Sequence, residues 1–264
     1  LAGADKVIHC AGYVSYDKRE EELIYQTNVE GTANLVNAAV NQNVKLFLHF
    51  SSVASIGKDK NTRISTEDTQ WIEEENISTY ARSKHQSELE VWRGWAEGLN
   101  TIIINPSLVL GPGDWEKSST QVFKYIYEEN RFYTSGIVNY VDVRDVAEVT
   151  LRLLNLEFKG ERFIVNAGNV SYRGLFEAIA ASMGKKPPSV KVNNAMIRLT
   201  IILEKLRSKL LGTKPLVTEE LSSVSKNQHV YANDKLKNAV NITFRELEET
   251  VDWTCRRLMN GKST

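Results

Sequence analysis

Tyr80 and Lys84 stand four residues apart in a segment with helical patterning, so their side chains leave the same helix face. An ammonium held near a phenol favours the phenolate and pulls down a pKa that starts at about 10. A tyrosine tuned in this way can give or take a proton near neutral pH, as carbonyl reduction or alcohol oxidation requires. Ser52 closes the preceding strand, where its hydroxyl can hydrogen-bond the same carbonyl oxygen. The parts fit a hydride-transfer site in which a bound cofactor carries the redox chemistry. The spacing alone is a weak signal in a chain with 10 tyrosines, and it recurs at Tyr231 and Lys235. That second copy lies in a polar stretch with no serine-tipped strand ahead of it and is read as chance.

The elements around the first copy give it meaning. Strand-like runs at residues 5–9, 45–50 and 101–104 alternate with helical patterns at about 20–41 and 78–97, the βαβ signature of a parallel sheet. The three strands end in Cys10-Ala11-Gly12, Ser51-Ser52 and Asn105-Pro106-Ser107. Ligands of open parallel sheets bind beyond the carboxyl ends of the strands, so these small and polar clusters should share one edge. Further on, residues 118–129 read as a helix and 139–143 as extended, and Asp142 is the expected N-cap of a helix reaching about residue 155. Residues 162–165 form another short strand. From Tyr172 onward the pattern is mostly helical, which suggests a smaller lobe. Thr243 and Glu246 form a capping box for a last helix through Leu258.

Composition narrows the class. With 264 residues, 42% of them hydrophobic, the chain can bury a sizeable core. Lys+Arg and Asp+Glu both number 33, and this balance argues against a nucleic-acid partner. No apolar run, including that at 201–203, is long enough for an integral membrane segment. Cys10 and Cys255 are far apart, which suits a reducing compartment and a cytoplasmic location. The four histidines show no metal-ligand spacing, so no metal site is read. His9, His49 and His85 are expected at strand ends or on a helix surface, and Cys10 as a small core residue.

Six landmarks follow in order: Val7-Ile8-His9-Cys10-Ala11-Gly12, Thr27-Asn28-Val29-Glu30-Gly31-Thr32, Phe50-Ser51-Ser52-Val53-Ala54-Ser55-Ile56-Gly57, Tyr80-Ala81-Arg82-Ser83-Lys84, Pro106-Ser107-Leu108-Val109-Leu110-Gly111-Pro112-Gly113 and Tyr140-Val141-Asp142-Val143-Arg144-Asp145-Val146-Ala147. On these the chain resembles the extended short-chain dehydrogenase/reductase family, the NAD-dependent epimerase/dehydratase superfamily, from the family's fourth strand to its C-terminus. The resemblance implies an α/β fold, a Rossmann-type doubly wound parallel sheet with a smaller, mostly helical C-terminal substrate lobe. It implies an enzyme using NAD or NADP, with Tyr80 as general acid/base and Lys84 as the residue that lowers its pKa and holds the nicotinamide ribose. Ser52 polarises the carbonyl, with Ser51 a lesser candidate. Asn28 steadies the central helices and an active-site water, or else is only a polar helix-packing residue. Ala11 and Gly12 match backbone passing close to the cofactor, and Pro106 and Ser107 match the nicotinamide-side loop.

The family's glycine-rich loop, which seats the pyrophosphate on a helix N-terminus, does not occur in the sequence, nor does the residue that selects NAD over NADP. The expectation is that roughly 60 to 75 residues of a first βαβαβ half precede Leu1. Residues 1–113 are then the later part of the cofactor domain with the catalytic groups, and 114–264 a mixed region of later Rossmann elements and substrate lobe. Leu108 stands where sugar-nucleotide enzymes of the family carry an asparagine. The segment looks instead like the dihydroflavonol 4-reductase and 3β-hydroxysteroid dehydrogenase branch, whose substrates are small and apolar. An NDP-sugar epimerase/dehydratase and a non-catalytic NAD(P)H-binding regulator are the alternatives. Tyr13, Tyr16, Trp115, Tyr133 and Tyr140 fall near loops expected over the substrate, or pack as ordinary loop aromatics. Residues 194–211 form a basic amphipathic pattern, read as a lid or packed helix rather than a membrane-surface helix. The family's pairing of the Asn28 and Tyr80/Lys84 helices with their copies implies a homodimer.

Overall fold

The computed structural model describes residues 1–59, 61–74, 77–156, 160–193, 195–196 and 228–260. Its strands are β1 Lys6–His9, β2 Leu46–Phe50, β3 Ile64–Ser65, β4 Thr101–Pro106, β5 Leu108–Leu110, β6 Phe132–Tyr133, β7 Ile137–Asp142, β8 Glu161–Val165, β9 Gly168–Ser171, β10 Val190–Lys191 and β11 Val230–Tyr231. Its α-helices are α1 Glu21–Tyr25, α2 Gly31–Asn41, α3 Thr79–Ala96, α4 Thr120–Tyr127, α5 Val143–Leu153, α6 Tyr172–Met183, α7 Asp234–Val240 and α8 Leu247–Asn260. The chain divides into two units, each discontinuous in sequence.

Unit 1 comprises Leu1–Ser107, Val146–Asn166 and Tyr231–Thr243. Its sheet runs β1-β2-β4-β8 with every pair parallel, in the register Val7↔Phe47↔Thr101 and Ile104↔Phe163. This is a Rossmann-type α/β arrangement. β2 and β4 read as near-continuous apolar runs because both their faces are covered, as a parallel sheet demands. Val7, Phe47 and Ile103 alternate onto one face and pack there with Val36 and Ala39 of α2 and Val91 of α3. Gly94 lets α2 and α3 approach closely, since a Cβ there would stand 2.6 Å from Val36 Cγ1. Ser78 caps α3 by accepting the Ala81 N–H at 3.1 Å.

Two expectations change here. The helix predicted over 20–41 is broken by a π-helical turn, Gln26–Glu30, between α1 and α2. The turn surrounds Asn28, whose carbonyl oxygen accepts the Thr32 hydroxyl at 2.6 Å, and such one-residue widenings recur at functional sites. His9 and His49 stand at the ends of β1 and β2, as expected. They occupy the inward positions of β1 and β2 with 4% and 0% exposure, rings 5.0 Å apart. Cys10 is exposed rather than a core residue, in the loop that follows β1.

Unit 2 comprises Leu108–Asp145, Ala167–Val230 and Phe244–Thr264. β5 pairs parallel with β7, and β7 pairs antiparallel with β9, a strand that the sequence pattern did not suggest. Leu110, Phe123, Tyr140, Leu175, Ile179, Val251 and Leu258 form its core, with Trp115 and Tyr133 packed against it. Asp142 caps α5 as expected, its Oδ1 accepting the Arg144 N–H at 2.7 Å. The last helix begins at Leu247, later than the capping box predicted. The fully buried Asp145 captures this segment first, accepting the Arg245 N–H at 2.9 Å and pairing with its guanidinium. Among the described residues no helix is long and apolar enough to cross a membrane. Of the amphipathic pattern at 194–211, all but residues 195 and 196 lies outside the described residues.

Candidate active site

β2 delivers Ser51 and Ser52 to the carboxyl edge of the sheet, where the Ser51 N–H still donates to the Ile104 carbonyl at 2.8 Å. The two serines then part. Ser51 Oγ turns inward to Ser55 Oγ at 3.2 Å. Ser52 Oγ caps a short turn, accepting the Ala54 N–H at 3.2 Å, and acts on the Tyr80 phenol beside it. Tyr80 lies in the first turn of α3 and Lys84 in the next, on the side that meets the sheet. The Lys84 side chain is almost fully enclosed, and its Nζ donates to the Phe50 carbonyl at 2.8 Å.

The electrostatics differ from the simple expectation. Burial raises the Tyr80 phenol above its ordinary value, an effect that the Ser52 hydrogen bond opposes. Burial also presses Lys84 down to about 8, with Glu88 acting in the opposite direction. Tyr80 is therefore held as a neutral phenol and Lys84 is a cation poised near neutrality. Lys84 adds to the burial that holds the two histidines neutral: His9 falls to about 4 and His49 well below its usual range. Their hydrogen bonds serve packing, His9 Nε2 to Thr32 Oγ1 at 2.9 Å and His49 Nε2 to Ser87 Oγ at 3.3 Å.

Asn28 is buried with its amide engaged. Nδ2 donates to the Tyr13 carbonyl and to Ser83 Oγ, both at 2.9 Å, and Oδ1 accepts the Tyr13 N–H at 2.7 Å. It thereby ties the 10–13 loop to α3 just above Lys84. Ala11 and Gly12 are exposed in that loop. A Cβ at Gly12 would stand 3.7 Å from Asn28 Oδ1 and 3.9 Å from Lys84 Nζ. Pro106 ends β4 in a buried position, and Ser107 Oγ is buried with no hydrogen-bond partner.

The second Tyr/Lys pair is used otherwise. Tyr231 is buried in a small cluster with Ile56 and Ile164, while Lys235 pairs with Glu161 at 2.7 Å and lies over the Phe163 ring. Tyr140, Trp115 and Tyr133 belong to the unit 2 core. The feature missed in the sequence is a polar cluster behind the Ser52 turn, made by Ser55, Glu88, Asn105 and Arg162. Only the i,i+4 spacing of Lys84 and Glu88 hinted at it.

Residues 1–168 match the family described as NAD dependent epimerase/dehydratase. The chain belongs to that family. Among curated relatives, the putative dihydroflavonol 4-reductase of Synechocystis sp. is 26% identical over 244 residues, covering 89% of this chain and 70% of that protein. Sterol demethylase protein B of Methylococcus capsulatus is 24% identical, over 73% of this chain and 59% of its own length. Cinnamoyl-CoA reductase 1 of Petunia hybrida is 30% identical, over 66% and 54%. The chain thus spans between about half and seven-tenths of these relatives. Among solved structures, gox2253 is similar with a TM-score of 0.82 and 27% identity, over 98% of this chain and 80% of that one. A UDP-glucuronic acid 4-epimerase from Bacillus cereus in complex with NAD shares the fold, with a TM-score of 0.74 and 14% identity over 97% and 74%.

The family's dinucleotide cofactor fits what unit 1 offers. Lys84 spends one of its three N–H groups on Phe50, which leaves donors for ribose hydroxyls. The Ser107 hydroxyl lacks a partner, and the missing side chain at Gly12 leaves open the space beside Lys84 Nζ.

Proposed function

We propose that the protein is an NAD(P)-dependent oxidoreductase that moves a hydride to or from a ketone/alcohol carbon of a small apolar substrate, in the manner of a dihydroflavonol reductase or 3β-hydroxysteroid dehydrogenase. The observation that carries this reading is the buried Tyr80 phenol set beside Ser52, which pulls against the burial that raises it, with Lys84 buried one helical turn further on. Bound NAD(P)(H) supplies or accepts the hydride. Tyr80, kept protonated by burial, gives its proton to the carbonyl oxygen in reduction and takes it back in oxidation. Ser52 donates a hydrogen bond to the same oxygen as negative charge develops there. Lys84 binds the nicotinamide ribose and stabilises the phenolate that Tyr80 becomes. Ala11, Gly12, Pro106 and Ser107 line the cofactor, and Asn28 holds the 10–13 loop in place over it.

The cofactor and proton-transfer groups then belong to residues 1–113, and residues 114–264 combine later Rossmann elements with the substrate lobe. Leu108, with no hydrogen-bonding side chain, favours an apolar substrate over a sugar nucleotide. The protein works as a homodimer in which the Asn28 helix and α3 pair with their copies; on α3, Leu89 and Trp95 are 52% and 47% exposed. The unpaired Cys10 and Cys255 suit the cytoplasm. The test is Tyr80→Phe in the full-length protein, read as NAD(P)H-linked turnover of hydroxylated flavanones and 3-ketosteroids. Turnover should fall at least ~100-fold while cofactor affinity is kept. Unchanged turnover, or conversion of UDP-sugars without net cofactor consumption, would sink the assignment.

A further inference from the structure

Glu88 is 1% exposed and follows Lys84 by one turn of α3. Its carboxylate is the centre of the cluster behind the site. Oε1 accepts from Asn105 Nδ2 at 2.5 Å and from the Ser55 hydroxyl, and Oε2 accepts from Arg162 Nη1 at 3.0 Å. Each of those partners reaches a part of the site or its frame. The single Ser55 hydroxyl hydrogen is shared between Glu88 and the Ser52 carbonyl, 2.7 Å away, and Asn105 Nδ2 lies 3.0 Å from that carbonyl, so the turn that presents Ser52 is held from behind. Asn105 itself closes β4, immediately before Pro106 and Ser107. Arg162 is anchored to the Glu67 carbonyl, and the Glu67 carboxylate accepts the Ile164 N–H at 2.8 Å, fixing the guanidinium against β8. A buried carboxylate with this many donors costs several kcal/mol in lost solvation unless all are kept in place, which makes the arrangement stiff.

We propose that Glu88 is a positioning residue for the proton-transfer site: its carboxylate ties down the Ser52 turn and the Asn105 end of β4, and its charge is the counter-charge of the Lys84 ammonium. The proposal rests on the reading of Ser52, Tyr80 and Lys84 given above. Within α3, Lys84 is faced by Tyr80 and Glu88; from the sheet it is faced by His9, neutral above about pH 4, and by His49, which burial also holds neutral. Glu88 is faced by His85 on its own helix and by Arg162 from β8. Glu88 is thus the anion that acts on Lys84, and it favours the charged amine against burial.

The experiment titrates the 13Cε resonance of Lys84 in full-length, lysine-labelled protein, assigned by its loss in Lys84→Arg. This needs neither substrate nor cofactor turnover. Wild type should titrate near 8. Glu88→Gln should move the midpoint down by about half a unit or more and lower kcat ~10- to 100-fold with little change in KM. Glu88→Asp keeps the charge but shortens the reach, so it should restore the midpoint while kcat stays low. A merely structural role would lower the thermal midpoint of Glu88→Gln and leave the Lys84 titration where it was; that result overturns the proposal. Should Glu88→Gln not fold, Ser55→Ala removes one of the two links from Glu88 to the Ser52 turn, the other running through Asn105 Nδ2, and kcat should fall; unchanged kcat there overturns the proposal equally. If Tyr80→Phe keeps full turnover, the underlying reading falls instead, and the Lys84 titration still reports on Glu88.

Discussion

Replacing Lys84 by methionine should abolish turnover and yet leave the protein as stable as wild type, or more stable, at pH 7. Folding takes this amine from an ordinary value of 10.5 to about 8, so the folded state resists its charge. At 1.36 kcal/mol per pKa unit the cost of keeping it protonated at pH 7 is about 3 kcal/mol. The variant loses the charge-assisted hydrogen bond to the Phe50 carbonyl, worth about 1.5 to 3 kcal/mol. Glu88 keeps Arg162 at 3.0 Å as its partner, so no buried anion is left alone. The net change is then between zero and about 2 kcal/mol in favour of the variant, by these order-of-magnitude values. The pH dependence has a definite sign. Between about 8 and 10.5 the unfolded chain binds more protons at this site than the folded one, so wild-type stability gains from this group as pH rises. Urea unfolding followed by tryptophan fluorescence at pH 7 and 9.5 reads both effects. The variant's advantage should shrink by about 2 kcal/mol at the higher pH. A loss of 3 to 5 kcal/mol in Lys84→Met at pH 7, of the kind seen when a well-compensated buried ion pair is broken, would refute the reasoning.

Two further outcomes follow from the same geometry. Gly12→Val places branches beyond the point 3.9 Å from Lys84 Nζ, so dinucleotide affinity should drop at least ~10-fold, seen by calorimetric titration, while the thermal midpoint of this exposed position holds. His9 is neutral when folded and takes up a proton at about 6.5 when unfolded, so its contribution to stability is present above 6.5 and lost as pH falls toward 4. A His9→Gln variant should therefore show a flatter acid limb than wild type over that window, by as much as about 3 kcal/mol at pH 4.

What could be read from the sequence is what is local. Tyr80 and Lys84 share a face because they are four apart, and Ser52 lies at a strand tip because an apolar run stops there; both relations survive without knowing any distant contact. The cluster around Glu88 could not be read, because Arg162 lies 74 residues away and becomes its partner only through the pairing of β4 with β8. The capping box at Thr243 failed for a related reason. The Asp145 carboxylate, 100 residues distant, holds Arg245 and delays the helix to Leu247. His9 and His49 lie at strand ends, as their place in the apolar runs suggested, and strand alternation turns them inward with Val7 and Phe47. The π-helical turn at Asn28 replaces regular helix where that side chain bridges to Tyr13 and Ser83. The two units interleave along the chain, so no linker marks where one ends.

The central claim is that Ser52, Tyr80 and Lys84 serve net hydride transfer. It is tested most directly by giving the full-length protein NAD(P)H with both hydrogens of the nicotinamide C4 replaced by deuterium, together with an apolar ketone substrate, and weighing the alcohol formed. The account predicts one deuterium on the carbinol carbon of each product molecule, with the yield collapsing in Tyr80→Phe. Product without deuterium, or deuterated product formed equally well by Tyr80→Phe, would contradict it.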